Sequence, residues 1–113
     1  HLAESLRARG SYGEAAGAYR ESLRLKPASI EAQLNLGVTL THLGRIDEAM
    51  EAYRRVLALD SRYAVAHFNL AGLLAARDRT REALRHYEAA LKSGDAQTRE
   101  LARQATADLG ARK

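Results

Sequence analysis

The sequence repeats itself at an interval of 34 residues, and this periodicity restricts the fold more than any other feature. Shifting the chain by that interval superimposes Ala on Ala, Tyr on Tyr and Leu on Leu in three successive copies. The columns are Ala15, Ala49 and Ala83; Tyr19, Tyr53 and Tyr87; Leu23, Leu57 and Leu91; Leu2, Leu36 and Leu70; and Leu6, Leu40 and Leu74. A period of this length is typical of proteins built from stacked copies of one supersecondary unit.

The apolar residues within each copy follow a helical spacing. Ala15, Tyr19 and Leu23 lie at four-residue intervals, which place them on one stripe of an amphipathic helix. Ala and Leu supply most of the apolar residues, and both favour helix. The pattern predicts helices at about 1–9, 13–25, 29–42, 46–59, 62–76, 80–92 and 96–109.

A residue that tolerates a left-handed backbone follows the first helix of each copy. Gly10 and Gly44 occupy this position in the first two copies, and Asp78 occupies it in the third. Gly has no Cβ to clash in that conformation, and Asp adopts it more readily than most residues. We therefore predict a tight turn at all three positions. We also expect the Ala column to mark a close approach of two helices, and the Tyr column to fill the gap to the next unit.

These residues together resemble the tetratricopeptide repeat. The second copy carries the pattern almost throughout, in Leu36-Gly37, Leu40, Gly44, Ala49 and Tyr53, and departs from it at Ser61. The third copy departs more, at Asp78, Thr80 and Ser93-Gly94. The resemblance implies an all-α fold, a right-handed α-solenoid of stacked antiparallel helix pairs. It divides a single domain, 1–113, into a truncated first repeat at about 1–29, repeats at about 30–63 and 64–95, and a capping helix at about 96–110.

The resemblance also implies a concave groove, lined by the first helix of each repeat, in which the family mostly binds extended peptides. The residues expected on that face are Glu31, Leu34, Asn35, Val38 and His42 from the second repeat, Val65, Phe68 and Asn69 from the third, and Arg99 and Arg103 from the capping helix. Phe68 is open to two interpretations, as an aromatic anchor for a partner or as part of a helix–helix core.

Asn35 and Asn69 are the most specific of these residues, because they lie one repeat apart. An Asn amide is both donor and acceptor, which suits hydrogen bonding to a peptide backbone whatever its side chains. The pair is similar to the asparagine ladder in the repeat region of the glycosyltransferase that attaches N-acetylglucosamine to proteins. The alternative is that each Asn only completes local hydrogen bonds.

Arg99 and Arg103 resemble part of the carboxylate clamp with which some members of the family hold acidic tails. Charge-assisted contacts from Arg to a carboxylate are strong, which favours this interpretation. Leu34 and Val38 stand where that clamp has a Lys and an Asn, so half of it is missing. Two solvated arginines on a terminal helix are the alternative.

Several function classes find no support in the sequence. There is no Cys, no His pair at i,i+4 and no HExxH motif, so we expect no metal site and no cofactor. No phosphate-binding Gly loop and no nucleophile with a positioned base are present, so we expect no enzyme. The net charge of +4 comes from interspersed Arg and Glu, a pattern typical of solvated helix faces rather than of nucleic-acid or membrane surfaces.

The sequence therefore predicts a module that binds a peptide or a partner protein. One alternative is a scaffold segment that associates with itself through its repeat ends, where Leu2 and Leu6 would be uncovered. Another is an accessory region of a larger enzyme. Because the chain opens on His1 rather than Met, we expect a soluble segment of a longer protein; the compartment stays open, with an intracellular one favoured.

Overall fold

The computed structural model describes the backbone of residues 2–111 and the side chains of residues 10–111. Six α-helices and no strand occur in that range, so the all-α prediction is confirmed. The helices are α1 (Leu2–Leu25), α2 (Ile30–His42), α3 (Ile46–Leu59), α4 (Ala64–Ala76), α5 (Thr80–Ala90) and α6 (Ala96–Ala111). None of these helices is both long enough and apolar enough to cross a membrane. The chain divides into two compact units, the amino-terminal unit (residues 1–59) and the carboxy-terminal unit (residues 60–113).

The prediction of a turn at Gly10 is wrong, because α1 runs without a break from Leu2 to Leu25. The predicted helices 1–9 and 13–25 are therefore one helix, and the first repeat is not a helix pair. Good helix formers flank the glycines on both sides, with Ala8-Arg9 before Gly10 and Glu14-Ala15-Ala16 after Gly13. A helical Gly costs about 1 kcal/mol relative to Ala, which such flanking residues can offset. The side chains of Leu2 and Leu6, invoked for self-association, lie outside the described ones.

The other two predicted turns are confirmed. Gly44 has φ of 78° and Asp78 has φ of 60°, and within residues 2–111 these are the two left-handed positions. The two helices before these turns end in the same way. In each, the amide two residues after the C-cap, which is Leu43 in α2 and Arg77 in α4, donates to a carbonyl in the last turn of the helix. The closing bonds are Arg45 N–H to the Leu40 carbonyl and Arg79 N–H to the Leu74 carbonyl, both 2.9 Å.

In the amino-terminal unit, α2 packs against both α1 and α3. Leu40, Ala49 and Val56 are buried in the resulting core. Tyr53 lies on α3 with its ring over Gly37 of α2, so close that a Cβ built on Gly37 would fall 2.7 Å from Tyr53 Cε1. Tyr53 thus covers the backbone of the preceding helix, a contact inside its own repeat that the sequence prediction had not assigned to it.

In the carboxy-terminal unit, α5 packs against α4 and α6, and α4 also contacts α6. Leu70 and Leu74 of α4 and Ala83 of α5 have no exposed surface. Ala102 of α6 is equally buried, so the last helix closes this core. Ala49 and Ala83 of the Ala column are fully buried, as a close helix approach requires, whereas Ala15 is only half-buried.

The start of α6 is held by a side-chain cap. Asp95 precedes the helix, and its Oδ2 accepts hydrogen bonds from the Thr98 amide at 3.0 Å and from Thr98 Oγ1 at 2.6 Å. These bonds favour the ionised carboxylate, so they lower the pKa of Asp95 below its ordinary value of 3.8. Thr98 itself is buried. Asp95 therefore ties the first turn of α6 to the carboxy-terminal unit.

A carboxyl whose pKa is lower in the folded state than in the unfolded state stabilises the fold at pH values above its ordinary pKa. This stabilisation is lost as the pH falls through the lowered pKa. Asp95→Asn keeps a capping oxygen but removes the titrating group. We expect the wild type to have the higher melting temperature at neutral pH, and this difference to shrink as the pH falls below about 3.8. Thermal denaturation followed by circular dichroism measures the difference in melting temperature at each pH. The contributions of the other carboxylates cancel in this difference, because both proteins contain them. A difference that does not vary with pH would contradict the role of the charge.

Candidate functional site

One side of α2 is buried and the other is accessible. The buried side carries Ala32, Leu36 and Leu40. The accessible side carries the predicted groove residues of the second repeat, because they recur at the three- and four-residue intervals that define one helix face. These are Glu31, Leu34, Asn35, Val38 and His42, all half-buried or exposed. Their accessibility fits the prediction, and their role in binding stays a prediction.

A cleft of about 360 Å³ opens where the end of α1 meets the start of α2. This α1–α2 cleft is lined by Tyr19, Leu25, Lys26, Glu31, Ala32 and Asn35, among others. Leu25 is 67% exposed, so an apolar side chain stands uncovered at its edge. Lys26 and Glu31 add one charge of each sign. The cleft thus combines an apolar wall with polar groups, the combination typical of small binding sites.

Sequence analysis found only the α2 side of this cleft. Glu31 and Asn35 were predicted as groove residues, whereas Tyr19, Leu25 and Lys26 on the α1 side were not. The Tyr column pointed to inter-repeat packing, which led away from a binding role for Tyr19. The Tyr19 side chain is half-buried in the structure. The repeat pattern does not reveal this, because the exposure of the Tyr side chain in each repeat depends on the neighbouring repeat.

The amide side chains of Asn35 and Asn69 have no hydrogen-bond partner among the described side chains and backbone, although both residues are half-buried. Asn35 does accept a hydrogen bond from Thr39, but through its backbone carbonyl. Each amide therefore keeps its donors and its acceptor for water or a ligand. The structure does not show the local hydrogen bonds that were the alternative interpretation of these residues.

His42 ends the accessible face of α2 in an aromatic stack. Its ring lies 4.7 Å from that of Tyr12, with an angle of 4° between the planes. The stack joins α1 to the carboxyl end of α2 and fixes the orientation of the imidazole. His42 is exposed, so it can still contact a ligand at its edge.

The corresponding face of α4 belongs to the carboxy-terminal unit. Val65 is 40% exposed, and Phe68 and Asn69 are half-buried. The Phe68 ring lies 5.7 Å from the Tyr87 ring at an angle of 58°, the tilted arrangement that aromatic pairs favour. Phe68 thus contributes to the helix–helix core and stays half-buried, and its role as an anchor for a partner stays a prediction.

Arg99 and Arg103 are both engaged by neighbouring groups of α6 and the residues before it. Arg99 Nη1 donates to the Ser93 carbonyl at 2.7 Å. Arg103 Nε donates to Glu100 Oε2 at 3.0 Å, and this pairing lowers the pKa of Glu100. A ligand carboxylate would have to compete with Glu100 for Arg103. Both arginines are exposed, and a carboxylate-binding role for them stays a prediction.

A histidine pair was missed entirely by sequence analysis. His67 of α4 and His86 of α5 meet with their Nδ1 atoms 2.9 Å apart, and His67 Nε2 lies 2.7 Å from the Ser61 carbonyl. The search for histidines at i,i+4 considered one helix at a time, whereas this pair joins two. The 34-residue shift maps the pair onto Gln33 and Ala52, which line one cleft in the amino-terminal unit. A comparison of the first and second helices of one repeat, rather than of one helix at a time, could have identified the histidine pair.

Comparison with known proteins identifies the repeat. Family models described as tetratricopeptide repeat match residues 2–64 and residues 40–109. No curated protein sequence matches the chain significantly.

Solved structures resemble the chain over most of its length. The type III secretion chaperone SycD of Yersinia enterocolitica, in complex with a peptide of the translocator YopD, is 21% identical, with 97% of this chain and 86% of that chain covered and a TM-score of 0.80. The TPR2B domain of yeast Sti1, in a complex with pHsp70, is 17% identical, with 96% and 98% covered and a TM-score of 0.83. MamA is 27% identical, with 75% and 46% covered and a TM-score of 0.68. SycD and Sti1 TPR2B are too distant in sequence for the similarity to show more than a shared fold.

Proposed function

The chain belongs to the tetratricopeptide repeat family, and from that premise we propose that it binds an extended peptide segment of a partner protein. The observation that carries the proposal is the pair of half-buried Asn35 and Asn69 amides, which have no hydrogen-bond partner among the side chains described, residues 10–111. SycD with its YopD peptide and Sti1 TPR2B with pHsp70 support it as examples of the same fold holding such ligands.

The α1–α2 cleft offers what an extended peptide needs. The Asn35 amide can donate to a peptide carbonyl and accept from a peptide N–H, which orients the backbone without selecting its side chains. Leu25, Leu34 and Val38 present apolar surface for peptide side chains. Lys26 and Glu31 can pair with charges of either sign at the cleft.

The face of α4 repeats this chemistry in the carboxy-terminal unit. Asn69 provides the second amide, and Val65 and the accessible edge of Phe68 provide apolar contact. The role is one of binding rather than catalysis. A shallow site of this kind gives about micromolar affinity, on the order of −8 kcal/mol.

Replacing both amides should weaken binding without destabilising the fold. Two hydrogen bonds of about 0.5–1.5 kcal/mol each predict a rise in Kd of about 5- to 150-fold for Asn35→Ala combined with Asn69→Ala. The melting temperature should be nearly unchanged, because neither amide forms a hydrogen bond within the part of the chain that the structure describes. The measurement is fluorescence anisotropy with a labelled 12-residue peptide selected on the wild-type chain from a random library. Gln97→Ala, which removes an exposed amide on α6, is the control and should bind as the wild type does.

Backbone methylation of the same peptide separates backbone recognition from side-chain recognition. Methylation at the contacted amides should weaken binding to the wild type but have little further effect on the double variant, since the bonds it removes are already lost. Equal affinity of the wild type and the double variant would refute the role of the two amides. Failure to select any peptide that binds the wild-type chain would refute the proposed function itself.

A further inference from the structure

We propose that a second cleft of the amino-terminal unit binds a histidine side chain of a partner protein. This α2–α3 cleft has a volume of about 370 Å³, and the described residues that line it all differ from those of the α1–α2 cleft. Its buried lining residues, which form the floor, are Gln33, Leu36 and Leu40 of α2 and Ala52 of α3. Charged residues of α1 and α3 form its rim. The cleft is therefore a second site, separate from the one proposed for an extended peptide.

Gln33 distinguishes this cleft from an ordinary surface depression. The residue is only 4% exposed, yet its side-chain amide has no hydrogen-bond partner within residues 10–111. In that same range every fully buried side-chain nitrogen or oxygen has a partner, so both amide atoms of Gln33 retain some accessible surface. Gln33 lines the α2–α3 cleft and a neighbouring cleft of about 300 Å³ beside Leu23 and Leu59, so a ligand can reach its amide from there. A largely buried amide with an unbonded donor and acceptor destabilises the fold, and a ligand that bonds to it removes that cost.

The third repeat shows which group fills the corresponding space. The 34-residue shift places Gln33 at the position of His67, and Ala52 at the position of His86. In the carboxy-terminal unit, the His86 imidazole extends from α5 and meets His67 with the two Nδ1 atoms 2.9 Å apart. The methyl group of Ala52 supplies neither the volume of that ring nor its hydrogen bond. Beside Gln33, the second repeat thus lacks an imidazole that the third repeat provides from its own chain.

The hydrogen-bonding capacity of the floor matches a neutral imidazole. The Gln33 amide donates through Nε2 and accepts through Oε1, and a neutral imidazole has one donor and one acceptor nitrogen. Either tautomer can therefore bond to the amide, while Leu36 and Leu40 offer apolar contact to the ring. A Leu side chain would leave the amide unbonded, and a Tyr side chain is longer than the imidazole that fills the third repeat.

The rim of the cleft disfavours an anionic group. Arg20 of α1 pairs with Glu48 of α3 at 2.8 Å, and Arg55 pairs with Glu51 at 3.6 Å. Asp47 is a third carboxylate in the lining, so these five residues carry a net charge of −1. Such a rim accepts a neutral or protonated imidazole and repels a carboxylate or a phosphate.

Titration of the full chain with blocked amino acids tests the site. The probes are the N-acetyl methylamides of His, Tyr and Leu, which share one backbone and differ only in the side chain. At about pH 8 the His probe is mostly neutral, because the ordinary pKa of its ring is about 6.5. NMR spectra of the ¹⁵N-labelled chain should show saturable, millimolar binding of the His probe, with the largest shifts at the Gln33 side-chain amide and the Ala52 backbone amide. The Tyr and Leu probes should bind about fivefold more weakly, the effect of one hydrogen bond.

Two substitutions remove the site in different ways. Ala52→His places on α3 the imidazole that the third repeat has, so it should abolish binding of the His probe. Gln33→Leu removes the amide and should weaken the His probe about fivefold. It should not lower the melting temperature, because the amide has no partner in the described part of the chain. Gln97→Ala, which removes an exposed amide on α6, is the matched control and should bind the probe as the wild type does.

Three results would overturn the proposal. They are equal affinity of the wild type and Gln33→Leu for the His probe, equal or tighter binding of the Tyr or Leu probe, and shifts that do not saturate or that lie away from Gln33. If the Ala52→His protein does not fold, Gln33→Leu decides. If neither variant folds, the three probes and the position of the shifts on the wild-type chain decide. None of these results bears on peptide binding, since the two clefts are lined by different residues.

Discussion

Replacing Tyr53 with Ala is expected to lower the free energy of unfolding by about 3–5 kcal/mol, the usual cost of truncating a buried aromatic residue. Tyr53 is only 2% exposed, and its ring covers the backbone of α2 at Gly37. Its removal leaves a cavity between α2 and α3 that the two helices cannot close without breaking their other contacts. A domain of this size has about 5–15 kcal/mol of stability in all, so the loss is a large part of it. Urea denaturation followed by circular dichroism measures the change.

Two related variants show which part of Tyr53 matters. Tyr53→Phe keeps the ring and removes the hydroxyl, so it should retain most of the stability. Tyr19→Ala changes the same repeat column at a half-buried position and should cost clearly less than Tyr53→Ala. A loss below about 1 kcal/mol for Tyr53→Ala would mean that the ring does not fill the space between α2 and α3.

The helix pairs α2–α3 and α4–α5 could be predicted from the sequence because two independent signals, the apolar periodicity and the turn residues, indicate each of them. The Leu column at Leu40 and Leu74 marks the buried side of the first helix of each pair, and both residues are fully buried. Gly44 and Asp78 mark the turns, and both have the left-handed backbone that the pattern predicts. Apolar periodicity and turn chemistry agree at these places, which is the condition under which a local pattern determines structure.

The first repeat could not be predicted in the same way. Gly10 is as compatible with a helix as with a turn, since Gly lacks the Cβ that would exclude either. What selects a turn is the packing of one helix against the next, and a single residue type does not report that packing. The uninterrupted α1 is the outcome, and it leaves Leu25 and Lys26 at the edge of the α1–α2 cleft.

The candidate site was predictable only where one helix determines it. The accessible faces of α2 and α4 follow from helical spacing, so Asn35 and Asn69 were found. Features that need two elements were missed, such as the cleft that Tyr19 and Asn35 both line and the contact between His67 and His86. The engagement of Arg103 by Glu100 could have been anticipated, because residues three apart are neighbours on a helix surface.

Gly37→Ala is expected to destabilise the chain by up to about 2 kcal/mol, although Ala is the better helix former. The added Cβ would lie 2.7 Å from Tyr53 Cε1, inside contact distance of a ring that is held on all sides. Overpacking of a core costs about 1–3 kcal/mol, and the gain in helix propensity offsets about 1 kcal/mol of it. Urea denaturation of the single variant gives the net change.

Gly72→Ala is the matched control, because its Cβ would meet only Tyr87 Oη at 3.8 Å, an ordinary contact. It should leave stability unchanged or raise it by up to about 1 kcal/mol. The sharper comparison is Gly37→Ala in a Tyr53→Ala background, where the clash is gone and the same substitution should become neutral or stabilising. The difference between the two backgrounds, about 1–3 kcal/mol, measures the coupling of Gly37 to Tyr53. If Gly37→Ala had the same effect in both backgrounds, the Tyr53 ring would not be the reason that the second repeat has Gly37 where the third repeat has Ala71.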